Sequence, residues 1–125
     1  MSMKQVNLMH MIIIGPLLSY IGYNNSNTED KYFNALTGIT SLLPFIVRLP
    51  KGDNYHSLIN LSHYLIYIPF FLYVSFKGQN LNKNLFKLLF VLGIIVIIIH
   101  SYLLYKKVFI CKKNNDIKRL IINYL

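Results

Sequence analysis

Residues 7–23 read NLMHMIIIGPLLSYIGY and residues 60–76 read NLSHYLIYIPFFLYVSF. Over these 17 aligned positions six are identical: Asn7 with Asn60, Leu8 with Leu61, His10 with His63, Ile13 with Ile66, Pro16 with Pro69 and Tyr20 with Tyr73. Every match is offset by 53 residues. Leu and Ile recur easily in an apolar tract, whereas Asn, His, Pro and Tyr at fixed spacing do not. Each tract is also apolar enough, and close to long enough, to cross a bilayer, for which about 20 residues at 1.5 Å each are needed. These features predict an all-α fold: an integral membrane four-helix bundle built from two pseudo-symmetric helical hairpins, with one histidine from each half at matched depth.

Two further apolar segments complete the hairpins, giving spans at about 6–23, 30–49, 55–76 and 84–105, together the domain 1–105. Thr28 is expected to cap the second span, with Glu29 and Asp30 at its positive end and Pro50 and Gly52 stopping it. Asp53 or Asn54 caps the third. The fourth reads Leu-Phe-Val-Leu-Gly-Ile-Ile-Val-Ile-Ile-Ile over Leu89–Ile99, apolar all round, where a soluble bundle needs a charged outer face. The second and fourth spans align weakly through Gly38 and Gly93, at an offset near 55. A two-span unit repeated once keeps its orientation, so the halves would be related by an axis along the membrane normal.

Composition agrees. Of 125 residues 54% are apolar and 14% charged, against about 25% charged in ordinary soluble domains. No signal-peptide cleavage site follows the first span, which is read as retained. The net charge of +9 does not point to nucleic acid, because it gathers on one predicted side. Lys4, Arg48, Lys51, Lys106, Lys107, Lys112, Lys113, Lys118 and Arg119 lie there, against Lys31, Lys77, Lys83 and Lys87 on the other. Nine against four places both termini in the cytosol by the positive-inside bias. Residues 106–125 form a basic amphipathic tail, with Asn115 capping a short helix from Asp116 that would lie on anionic lipid, the alternatives being a disordered end or a contact with a partner protein. The single cysteine, Cys111, makes neither a disulfide nor a structural zinc site, and its place beside the last span admits palmitoylation.

Polar groups inside apolar spans are the functional candidates. Asn7 and His10 lie three apart, hence on one helix face, and Asn60 and His63 repeat the pair, with His56 one turn earlier. His100 lies near the end of the fourth span. Asn34, Thr37, Ser41, Pro44 and Arg48 follow steps of three and four along the second. If these faces point inward, His10, His63 and His100 share a layer, with Arg48 near its mouth. Three readings follow. The layer is helix-packing glue, each hydrogen bond contributing about 0.6 kcal/mol. Or it is a polar cavity in a small channel or transporter, with histidines titrating near neutral pH. Or His10 and His63 hold haem or a transition metal between helices, although no Glu-x-x-His or cysteine ligand motif accompanies them. Pro16 and Pro69 are expected to kink their helices, more so at Pro16 because Gly15 precedes it, and Gly15, Gly38, Ser41 and Gly93 to sit at helix contacts. No phosphate loop, Gly-x-Ser-x-Gly or intramembrane carboxylate pair is present, so no enzyme is expected, and the favoured role is structural or interactive, in an oligomer or with other membrane proteins.

The tracts HMIIIGPLLSYIGY (residues 10–23) and GIIVIIIHSYLLYK (residues 93–106) resemble small uncharacterised multi-span membrane proteins encoded by giant DNA viruses of protists. They cover about a quarter of the chain. The resemblance implies a viral or host membrane and carries no activity with it.

Overall fold

The structure, a computed structural model, describes residues 3–46, 58 and 61–124. Among these residues the chain is all-helical and contains no strand. The first arm joins α1 (Met3–Met9), a π-helical turn (His10–Ile14) and α2 (Gly15–Asn24). A 3-10 turn (Asn25–Asn27) leads into α3 (Asp30–Ile46). The third arm runs through a second π-helical turn (His63–Tyr67) into α4 (Ile68–Lys77). Another 3-10 turn (Gly78–Asn80) precedes the long helix α5 (Lys83–Tyr124).

The prolines explain the π-turns. Pro16 and Pro69 have no N–H, and their rings would press on the carbonyl one α-turn back. One extra residue in the turn relieves that pressure. The N–H of Gly15 then bonds to the carbonyl of His10, and the N–H of Ile68 to the carbonyl of His63, five residues back in each case. The two turns are alike whether Gly15 or Ile68 precedes the proline, so the expected difference between them is absent from the hydrogen bonding.

Each turn is followed at the same distance by the same loop. Asn25 (φ 53°, ψ −131°) and Gly78 (φ 52°, ψ −129°) both take a positive φ that favours glycine. Thr28 and Leu81 follow in extended conformation, and α3 and α5 begin two residues later. Asn82 caps α5, its Oδ1 accepting from the N–H of Asn84 at 2.9 Å. Thr28 does not cap α3 in this way. Its hydroxyl turns back to donate to the carbonyls of Asn25 (2.8 Å) and Ile21 (3.3 Å), satisfying the end of the first arm instead. Its own carbonyl accepts from Nε2 of Gln79 at 3.0 Å, which ties the two loops together.

The main packings cross between hairpins: the first arm lies along α5, and α3 lies along α4. The core gathers toward the loop end and is built from residues in corresponding places. Leu18 and Phe71, Ile21 and Val74, Phe33 and Phe86, and Leu36 and Leu89 are all buried, each pair 53 residues apart. Helices α3 and α5 thus carry buried residues at an offset of 53 as well, beside the offset near 55 read from Gly38 and Gly93. On the 53 register the partner of Gly93 is Thr40, and both are buried.

The glycines differ in their surroundings. A Cβ on Gly22 would fall on the backbone of Phe86 and Phe90, and one on Gly93 would strike Ser19 and the Gly15 carbonyl. Here the backbones of the first arm and α5 touch, as small residues permit. Gly38 meets nothing within 4 Å, and Ser41 is exposed, so neither sits at a helix contact.

Among the described residues two helical stretches are long and apolar enough to cross a membrane, Gln5–Asn27 and Lys83–Tyr124. The described part of the second span, α3, has 17 residues. The tail also differs from expectation: α5 runs unbroken to Tyr124, and Asn115 starts no new helix.

Candidate functional site

The close contact of Gly15 with Gly93 fixes how the antiparallel first arm and α5 line up. Two turns further from the loops, that alignment brings Asn7, His10 and His100 together. Asn7 is 4% exposed, the most buried polar side chain at this end. Its Oδ1 accepts from Nδ1 of His100 at 2.9 Å, a bond spanning most of the chain. Amide and imidazole orientations follow from the hydrogen-bond pattern. Nδ1 of His10 donates to the carbonyl of Val6 at 2.8 Å, one turn earlier on its own helix. In their neutral forms both imidazoles thus carry the proton on Nδ1 and leave a lone pair on Nε2.

The rings of His10 and His100 stack, with centroids 4.3 Å apart and planes 21° from parallel. His63, at the start of the second π-turn, approaches His10 edge-on, with centroids 6.3 Å apart and planes at 86°. Tyr67 is a further neighbour, 5.2 Å away. Three imidazoles from three arms therefore meet at the end of the bundle opposite the loops. The first residue of each π-turn supplies one of them. Sequence periodicity could not show the π-turns, although Gly-Pro and Ile-Pro after an apolar run mark where a helix must adjust.

Of the other residues singled out, Arg48 and Asn60 lie outside the described residues, as do His56, Pro50, Gly52, Asp53 and Asn54. The described residues of the polar stripe of α3 lie mainly on its exposed side. Asn34, Ser41 and Pro44 are exposed, and the buried polar residue on that helix is Thr40. Hydroxyls of Thr37, Thr40 and Ser41 each bond the carbonyl one turn back, at 3.0, 2.7 and 2.8 Å, so they are satisfied within the helix. Pro44 has a role the sequence did not suggest, its carbonyl accepting from the hydroxyl of Tyr64 on the third arm at 3.0 Å.

The geometry bears on chemistry in two ways. The stacked imidazoles, with Nδ1 occupied, each keep one lone pair on Nε2. Among the described residues no group of three His, Cys, Asp or Glu side chains is placed to hold a metal. An open groove lined by Asn24, Asn25, Asn27, Lys83 and Lys87 lies at the loop end, away from the histidines. No match to the chain was found among protein-family models, curated proteins or solved structures.

Proposed function

We propose that the protein is a non-enzymatic, four-span integral membrane protein whose two hairpins arose by duplication of one unit, with both termini in the cytosol, and that it serves as a structural or interaction component of a cellular or viral membrane. The observation that carries this reading is the apolar surface. Helix α5 contains a window of mean hydropathy 2.5 of which 11% is buried. Along it Val91, Ile95, Ile98 and Ile99 are 44–62% exposed, and on the other arms Phe45 and Phe76 exceed 85%. A surface of this kind aggregates in water and is at rest in hydrocarbon. The duplication is supported by π-turn, proline, positive-φ turn and buried set recurring at one offset of 53. The role as packing element is supported by the hydrogen bonds of His10 and His100, which run to the protein's own carbonyl and amide groups.

The experiment is extraction of cellular membranes with alkaline carbonate, followed by flux measurement on the purified protein in proteoliposomes. The protein is expected to stay in the membrane pellet, and the vesicles to be as tight as empty ones. Replacing His10 and His63 together by leucine should leave assembly intact. Release by carbonate would contradict the membrane reading, and a pH-dependent flux abolished by that double substitution would contradict the structural role.

One observation favours a second reading, a small channel or transporter: three histidines and a buried asparagine from different arms form one layer. In that case flux would follow histidine protonation and fall on His100→Leu.

A further inference from the structure

Helix α5 has 42 residues, about 63 Å at 1.5 Å each, roughly twice the 30 Å hydrocarbon core. Every described side chain of the portion beyond the bundle is exposed. Yet it is not polar. Val108, Phe109, Ile110, Leu120 and Ile122 are all at least 44% exposed. An isolated helical stretch of this length is marginal in water and gains its stability from covering its apolar face.

The pattern of that face says what covers it. Lys106, Ile110, Lys113, Ile117, Leu120 and Tyr124 follow one another at alternating steps of four and three, the spacing of a coiled-coil seam. Two of its positions are lysines. Against a flat lipid surface those ammonium groups would sit in the middle of the apolar face, aimed at hydrocarbon, instead of at its edges where lysines reach the headgroups. The helix also continues the last span without a break, which carries it away from the membrane. Against a second copy in parallel register, Lys106 and Lys113 would face their own kind, a like-charge contact that disfavours pairing. Acidic side chains opposite the two lysines, with apolar ones opposite Ile110, Ile117 and Leu120, satisfy every position.

We propose that residues 106–124 form one strand of a heterotypic coiled coil and dock an acidic amphipathic helix of another protein. This goes beyond the structural role proposed above by giving the chemistry of the partner.

The test uses the full-length chain in phosphatidylcholine nanodiscs and a fluorescent synthetic peptide of three heptads, with leucine at one seam position and glutamate at the other. A peptide with lysine in place of glutamate is the control. The glutamate peptide is expected to bind at least about tenfold more tightly than the lysine peptide. Lys106→Glu with Lys113→Glu should invert that order, a gain of binding that an unfolded helix could not produce. Lys107→Glu with Lys112→Glu makes the same charge change away from the seam and should keep the order. Equal binding of the two peptides would overturn the proposal outright, and equal losses in both double variants would overturn it in favour of diffuse charge attraction. Recruitment of phosphatidylglycerol vesicles without discrimination between the peptides would overturn it in favour of a lipid surface. The nanodisc preparation itself reports insertion beforehand, so failure of the membrane reading is seen separately.

Discussion

The two interhelical seams of this molecule share a backbone plan and differ in how closely they pack. Where the first arm lies on α5, Gly15, Ser19, Gly22 and Gly93 bring main chain against main chain. The corresponding positions where α4 lies on α3 are Ile68, Leu72, Ser75 and Thr40. That second seam is held by side chains, among them Phe71 and Val74 facing Phe33 and Leu36 in the common core. The difference shows close approach of main chains to be a property of one seam and not of the other. It is the close seam that carries the polar latch between Asn7 and His100. The position matching His100 in the other half, Val47, has no imidazole to offer.

The largest effect that would sharpen the comparison comes from Gly22→Leu. The added side chain meets the backbone of Phe86 and Phe90, which cannot step aside as a side chain does. A loss of about 3 kcal/mol or more is expected in reversible unfolding in mixed micelles. Ser75→Ala, at the matching position of the other seam, should change stability by less than about 1 kcal/mol. Similar losses for both would break the distinction.

The latch comes next. A double-mutant cycle of Asn7→Ala and His100→Ala should give a coupling of about 0.6–1.7 kcal/mol, the range for hydrogen bonds between membrane helices. Additive losses would mean that the bond contributes nothing beyond its separate side chains.

The smallest effects test what the halves share. Gly78→Ala places a Cβ at positive φ and should cost about 1 kcal/mol, whereas Asn25→Gly relieves the same conformation and should stabilise by a few tenths. Opposite signs at two positions 53 residues apart would show that one turn geometry is required twice. The readout is the same unfolding measurement.

Much of this was legible in the sequence. The all-helical class follows from unbroken apolar segments and the near-absence of acidic residues from them. The prolines of the matched tracts mark where the two π-turns fall. What was misread has physical reasons. Gly38 and Gly93 both read as contact glycines, the residue type that usually marks close approach, but Gly38 faces open space while Gly93 is packed. The informative residues were Phe33, Phe86, Leu36 and Leu89, and α5 is so apolar on all faces that its buried side does not stand out. Thr28 has the composition of a helix cap, yet the hydrogen-bond needs of the helix before it prevailed. Asn115 in α5 was read as a cap, where helix continuity overrode its local preference. The meeting of His10, His63 and His100 depends on an added residue in each π-turn, which no regular period encodes.

The account rests most heavily on four spans with the two loops on one side and both termini on the other. Labelling with a membrane-impermeant maleimide tests this directly, in a Cys111→Ser background with single cysteines at Gln5, Ser26, Gln79 and Asn123. In sealed, right-side-out vesicles Ser26→Cys and Gln79→Cys should label, while Gln5→Cys and Asn123→Cys should label only after permeabilisation. Labelling of one loop but not the other, or of all four positions in sealed vesicles, would contradict the account.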